Sequence, residues 1–255
     1  MISTNDKQIR DILISRANKR IEHPDKLVEF TSDPVANDLI CDLENFPHAY
    51  VIACILDQQY LAEKVWAIPH ELRQRLGTFD VEALYQLPPE ELLEAMMHPT
   101  KLHRFANKMA DAVFLAIQKI HDDYDGDASR IWRDKPSSST MVRRFREFKY
   151  VGPKIATMAA NILVRYFGIK VRDFESIDIS ADVHVIRVFE RLGFVPQEAT
   201  KDEVIQKARR LSPEYPGIFD AEIWHLGREI CQSGTPRCDS CYLSTVCQKS
   251  FRVQP

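Results

Sequence analysis

The 255-residue sequence predicts an all-α protein. Three observations carry that prediction. Apolar residues recur at helical spacing along most of the chain. Helix punctuation marks segment ends: "PKIATMAANILVRYFG" opens on a proline and stops at Gly168, and "VHVIRVFERLG" stops at Gly193. The single strand-like fragment, "IKVRDF", is too short and isolated to found a sheet.

The elements follow in order. In "NDKQIRDILISRANKRI", Ile9, Ile12, Leu13 and Ile21 fall near one helical face, with Thr4 or Asn5 as the cap. "PHAYVIACILDQQYLAEKVW" (47–66) is apolar nearly all round its first half, as a central buried helix would be. "DVEALYQL", "PPEELLEAMM" and "LHRFANKMADAVFLAIQKIHDDY" continue the helical pattern, the last closed by Gly126. "SSSTMVRRFREF" offers several caps before a further helix. No low-complexity linker or internal repeat interrupts the chain.

Composition narrows the classes. Hydrophobic content of 45% and charged content of 28% are those of an ordinary globular protein, long enough for one large or two modest domains. The polar start "MISTNDKQIR" is no secretory signal, and no run of about 18 apolar residues offers a membrane span. Those features predict an intracellular protein without a membrane partner, in a reducing compartment where structural disulfides are rare. The net charge of −3 does not advertise a nucleic-acid binder. Yet from Arg130 to Arg172 eleven Lys/Arg stand against only Asp134 and Glu147, and "DFESIDISAD" (173–182) then carries four acids and no base. A charge run alone is most simply a solvated helical surface.

Four of the six cysteines fall in "CQSGTPRCDSCYLSTVC", with spacing C-x6-C-x2-C-x5-C from Cys231 to Cys247. Disulfides are the weakest reading in a reducing compartment. Zinc sites are usually two short-spaced pairs, and only Cys238 and Cys241 form one. Four thiolates also ligate iron–sulfur clusters. Cys41 and Cys54 lie on apolar helices and read as plain buried thiols.

Between two predicted helices, "RRFREFKYVGPKIATMAANIL" (143–163) contains a short "KYVGPK" turn, where Gly152 can supply backbone freedom. A turn feeding a helix start presents unpaired N–H groups and the positive dipole end, which favour phosphate. Lys149, Arg146, Arg144 and Arg143 would add sequence-independent backbone affinity. An ordinary packing corner fits the same pattern. Lys154 falls in the first helical turn, where the macrodipole disfavours a cation and partial burial would favour a neutral amine. Asp182 precedes a helix, where an N-cap is its default role.

These stretches together resemble the endonuclease III superfamily of DNA glycosylases. Phe148-Lys149-Tyr150-Val151-Gly152-Pro153-Lys154-Ile155-Ala156 is similar to that family's hairpin, L-P-G-V-G-x-K-T-A, with Tyr150 where the first hairpin glycine belongs. Ala181 to Val188 is similar to V-D-T-H-V-x-R-V, and "ILDQQYLAEK" to the segment containing L-S-A-Q-A-T. The 6-2-5 cysteine spacing is that of the family's cluster loop.

The resemblance implies a fold of two helical domains with a helix-hairpin-helix motif and a C-terminal iron–sulfur loop. The six-helix domain would span 45–167, and the cluster domain 1–44 plus 168–255, with DNA in the groove between them. It implies a [4Fe–4S] cofactor on Cys231, Cys238, Cys241 and Cys247. Lys154 would form a Schiff base at C1′ of the damaged nucleotide, and Asp182 would assist it. Gln59 would fill the gap left by the extruded base, and Lys149, Tyr150, Val151, Gly152 and Arg237 would contact the DNA. A wedge would come from "KLHRFANK", as His103 or Phe105. His184 would be structural.

The implied activity is bifunctional, a DNA glycosylase and AP lyase of base excision repair. The protein would act as a monomer on double-stranded DNA carrying a damaged base or abasic site. Oxidised pyrimidines are the default substrate by analogy. The alternatives are an 8-oxoguanine or mismatch-specific glycosylase, or a non-catalytic iron–sulfur DNA-binding protein. Adenine removal is disfavoured, because Cys54 stands where adenine glycosylases carry their catalytic glutamate. The acidic 171–180 region lengthens the chain between Lys154 and Asp182 relative to the family pattern. It opposes phosphate contact unless it points away or is otherwise engaged.

Overall fold

The computed structural model describes residues 2–21 and 29–251. Among the described residues it has twelve α-helices, three short 3-10 turns and no strand, so the all-α expectation holds. The helices are α1 (Thr4–Ile21), α2 (Pro34–Cys41), α3 (Pro47–Leu56), α4 (Ala62–Leu76), α5 (Val81–Tyr85), α6 (Pro89–Met97), α7 (Ala106–Tyr124), α8 (Ser138–Arg146), α9 (Pro153–Arg165), α10 (Val183–Leu192), α11 (Lys201–Leu211) and α12 (Asp220–Glu229). The chain divides into two compact units. One takes residues 1–24, 137–139 and 171–255; the other takes 25–136 and 140–170.

Several boundaries differ from the sequence reading. The single helix expected over 47–66 is two. All ten residues of α3 are buried, and its continuation would drive Asp57, Gln58 and Gln59 into the same apolar surroundings. The chain breaks instead, and α4 restarts at Ala62. The cap of α1 is Ser3, not Thr4 or Asn5: its hydroxyl accepts from the Asp6 amide at 3.0 Å. The Ile21 side chain, assigned to the buried face of α1, lies outside the described residues. "LHRF" precedes α7 rather than opening it. Helices α2, α11 and α12 were not foreseen, although α11 opens on a full capping box between Thr200 and Glu203.

The larger helical unit is built around α3, which packs on α2, α4, α7 and α9. Its Tyr50 is fully buried and donates its hydroxyl to the Ala159 carbonyl at 2.7 Å, fastening α3 to α9. Rings of Trp66, Trp132 and Phe167 stand 5.5–6.1 Å from Tyr50. That anchored α9 is the helix whose first turn carries Lys154.

The other unit packs α1, α10, α11 and α12 around Ile9, Leu13, Val185, Phe189 and Ile223. Cys231, Cys241 and Cys247 lie against that core. Gly227 lets α12 approach α10 closely, since a Cβ there would come within 2.9 Å of the His184 Cβ. Glu222, almost wholly buried, accepts from Arg16 Nε and from the Tyr242 hydroxyl, both at 2.8 Å. These bonds tie α1 and α12 to the middle of the cysteine loop.

Candidate functional site

The hairpin between α8 and α9 keeps its turn at Tyr150, not at Gly152. Tyr150 has φ +66°, in the left-handed region that glycine normally serves, whereas Gly152 has an ordinary φ of −86°. The Val151 N–H closes the turn on the Phe148 carbonyl at 3.2 Å. Val151 itself is buried, and its side chain belongs to the packing rather than the surface. The first bond of α9 runs from the Ala156 N–H to Gly152 O, so the Lys154 and Ile155 amides of the first turn have no intrahelical acceptor. A Cβ on Gly152 would meet nothing within 4 Å. Lys154 is exposed at the second position of α9, without the partial burial considered from sequence.

Tyr150 is braced from the α7 side. Its hydroxyl donates to Asp111 Oδ2 at 2.9 Å, and that carboxylate raises the phenol's pKa. The ammonium groups of Lys108 and Lys149 stand 4.7 and 5.5 Å from the ring centroid. Of the basic residues assigned to phosphate, Lys149 and Arg146 are exposed. Arg144 is consumed by the fold: it forks onto Asp134 at 2.8 and 2.9 Å and donates to the Arg130 and Ile131 carbonyls. Arg143 is paired with Glu147.

The break between α3 and α4 presents the glutamine pair. Gln58 turns back to donate to Ile55 O at 2.7 Å, which caps α3. Gln59 is exposed with φ +52°, and its carbonyl accepts from Arg104 at 3.3 Å. Tyr60 packs its ring 4.9 Å from His103. His103 is fully buried, which removes it as a wedge candidate, while Phe105 is 39% exposed. Burial lowers the His103 pKa; the Gln58 backbone opposes the shift, and Arg104 and Lys108 add to it. Cys54 is fully buried and Cys41 half-buried, and burial raises both thiol pKa values, that of Cys41 to about 11.

In the other unit Asp182 is the N-cap of α10. Its Oδ1 accepts from the His184 and Val185 amides at 2.8 and 2.9 Å, so the cap uses one carboxylate oxygen and leaves Oδ2 outside it. The acidic region before it is engaged within its own unit. Asp173 accepts from the Ser138 amide and hydroxyl, and Asp178 takes a two-bond fork from Arg209 at 2.7 Å. With Asp182, three of the four acids of 173–182 therefore have structural partners. Ser180 is held by Asp220 at 2.9 and 3.0 Å, and Phe174 stacks on Tyr215 at 4.9 Å.

Cys231, Cys238, Cys241 and Cys247 are free thiols lining one hollow. Burial is the leading cause of the raised pKa values of Cys241 and Cys247, and the neighbouring cysteines add to it. Among the described residues no three His, Cys, Asp or Glu side chains converge closely enough to hold one metal ion. Two arginines of α10 fix the loop's backbone. Arg187 donates to Cys231 O at 2.9 Å, and Arg191 donates to Gln232 O at 2.7 Å and to Cys231 Sγ at 3.4 Å. Sequence reading missed Arg191; its spacing four residues after Arg187 was the available signal. Arg237, assigned to DNA, has its guanidinium on the Glu229 carbonyl at the end of α12.

One unit thus holds a turn leading into a helix start beside an exposed lysine, and the other holds a capped aspartate and a four-thiol loop. The chain belongs to the HhH-GPD superfamily of base excision DNA repair proteins, whose pattern matches residues 52–214. It is 28% identical over 148 residues to endonuclease III of Thermotoga maritima, a stretch covering 52% of this chain and 66% of that protein. It is 31% identical over 99 residues to endonuclease III of Buchnera aphidicola, covering 38% and 41%. The chain thus spans less than two thirds of those relatives' length. A 25% identity with endonuclease III of Bacillus subtilis covers 88% of this chain and 93% of that protein. In fold it is similar to a trapped endonuclease III–DNA covalent intermediate, with a TM-score of 0.63, 20% identity and 98% of both chains covered. A thermostable thymine-DNA glycosylase also has a TM-score of 0.63, with 16% identity and 96% of both chains covered.

Proposed function

We infer that this chain is a bifunctional DNA glycosylase and AP lyase that extrudes a damaged base from duplex DNA and displaces it through Lys154. The observation that carries this reading is the α9 start. Open space at Gly152, first-turn amides without helical acceptors and an exposed Lys154 suit a phosphate backbone brought close to an amine. Lys149, Tyr150, Val151 and Gly152 shape that contact, Val151 through its backbone alone; Arg237, in the other unit, would meet a DNA phosphate only after leaving the Glu229 carbonyl. Gln59 serves the vacated position, because its amide both donates and accepts.

In the reaction, the unprotonated Lys154 Nζ bonds to C1′ as the N-glycosidic bond breaks. The bonding pair leaves with the base, which takes up a proton. One proton then passes from Nζ to the ring oxygen O4′ as the C1′–O4′ bond breaks, which opens the sugar to a protonated Schiff base. Removal of a C2′ proton then forms the C2′–C3′ double bond as the C3′–O pair leaves with the 3′-phosphate, which nicks the strand. Asp182 Oδ2 accepts a proton from the amine or offsets positive charge on the sugar. An oxidised pyrimidine is the first substrate to test, with 8-oxoguanine and mismatched bases as the alternatives.

The four cysteines suit a [4Fe–4S] cluster: their thiols line one hollow and form the all-sulfur donor set such a cluster takes. When bound, the cluster supplies iron that cross-links four points of the C-terminal loop. Arg187 and Arg191 hold the loop's backbone for it.

The test is borohydride trapping on a panel of lesion-bearing and abasic duplexes. A covalent adduct that disappears in Lys154→Ala is expected. No adduct with any duplex overturns the lyase reading and leaves a non-catalytic DNA-binding protein. Asp182→Asn keeps a capping side chain, so turnover should fall on the order of 100-fold or more while duplex binding survives.

A further inference from the structure

We propose that Leu61 is a second gap-filling residue, an apolar prong that enters the duplex beside Gln59 where a nucleotide has been extruded. This inference rests on the DNA-repair reading above. Leu61 is 62% exposed, the most exposed large apolar side chain among the described residues of its unit. It occupies the N-cap of α4 in an extended conformation (φ −71°, ψ 116°) and supplies no side-chain cap. Asp33, Asp80, Asp182 and Thr200 cap α2, α5, α10 and α11, whereas α3, α6, α7, α9 and α12 share with α4 a start without a side-chain cap. At α4 the chain forgoes the cap and puts a leucine in water instead.

The neighbouring residues give that choice a direction. Two positions earlier Gln59 is held in the left-handed region with its carbonyl on Arg104, and Tyr60 between them packs on the buried His103. The loop is thus braced at its middle residue while Gln59 and Leu61 on either side are exposed. Exposed Arg104 borders it, and exposed Lys108 acts electrostatically on the His103 beneath it, which suits a polyanion rather than an apolar partner. A duplex that has lost a base from its stack offers two unlike surfaces: a polar base edge without a partner and the apolar faces of the flanking pairs. Glutamine satisfies the first, and a leucine wedge replaces stacking at the second. Both belong to one five-residue break between α3 and α4.

The experiment compares the wild-type chain, Leu61→Thr and Leu61→Ala on a duplex carrying a tetrahydrofuran abasic analogue and on the matched undamaged duplex. Thermal melting is measured alongside. Leu61→Thr restores a cap, so Tm should rise by about 2–4 °C. Its affinity for the abasic duplex should nevertheless fall about tenfold. Affinity for the undamaged duplex should not change. Leu61→Ala should lose the same affinity without the rise in Tm. A Leu61→Thr chain that binds the abasic duplex as tightly as wild type overturns this inference alone. A wild-type chain with no preference for the abasic duplex overturns the DNA-repair reading with it.

Discussion

The cysteine loop begins and ends on one arginine, whereas the Gln59 loop is held from outside by a 3.3 Å bond from Arg104 and the packing of Tyr60 on His103. Arg191 donates to Cys231 O, Cys231 Sγ, Gln232 O and Ser233 O at 2.7–3.4 Å. Its own carbonyl accepts the Cys247 thiol at 3.2 Å and the Ser250 amide at 3.1 Å. The Gln59 loop instead carries a left-handed non-glycine residue and an uncapped helix start. One loop is held at both ends by bonds to a single helix residue. The other retains local costs, which under the proposed function a duplex would relieve, the pattern expected where a segment is shaped for binding rather than for the isolated fold.

Breaking the first loop should have the largest effect. Arg191→Ala removes four guanidinium bonds to carbonyl and sulfur, and should cost about 2–3 kcal/mol in urea unfolding with little change in m. Iron bound per chain should fall in step. Arg191→Lys should recover only part of both, because an ammonium lacks the planar fork that reaches several acceptors at once. A loss below about 0.5 kcal/mol, the scale of a surface substitution, would mean that the loop is held by its core contacts and the comparison fails.

An acid-dependent effect of intermediate size belongs to the other unit. His48 is buried with Nε2 at 2.7 Å from Phe79 O, and burial lowers its pKa against the opposing effects of Phe79 and Asp80. His103, under the Gln59 loop, is lowered in the same direction. The unfolded chain takes up protons near pH 6.5 while these folded sites resist them, so stability is full above that pH and falls as pH drops through it. For His48 the loss is at most about 1.4 kcal/mol at pH 5.5. Melting curves at pH 7.5 and 5.5 should show a lower Tm in acid, and His48→Gln should flatten the difference. An unchanged Tm would place both histidines in equivalent environments folded and unfolded.

What the sequence disclosed follows the same division. Proline and glycine marked both ends of α9, and Gly193 marked the end of α10, because backbone chemistry at those residues is local. Asp182 as a cap was legible for the same reason. The break after Leu56 was not: it carries neither glycine nor proline, and it follows from α3 being buried on every side, a tertiary fact. Arg144 looked like a phosphate ligand until Asp134, ten residues away, was seen to occupy it. The acidic run looked hostile to DNA until Ser138 and Arg209 were found on its carboxylates. Local signals survive folding, whereas the availability of a charge depends on partners distant in sequence.

The smallest effect tests another left-handed residue, Tyr150, whose strain is compensated where that of Gln59 is not. Its hydroxyl bond to Asp111 and the two ammonium groups over its ring offset the cost of φ +66°. Replacing it by glycine removes strain and compensation together, so Tm should barely move. Asparagine, which tolerates the left-handed region, should behave similarly. Valine keeps neither the bond nor the stacking and adds a β-branch at positive φ, so Tyr150→Val should lower Tm the most of the three. Phenylalanine isolates the hydrogen bond and should fall between valine and wild type. If valine melts with the wild type, the hairpin does not hold a left-handed residue at 150, and the two strained positions are not comparable.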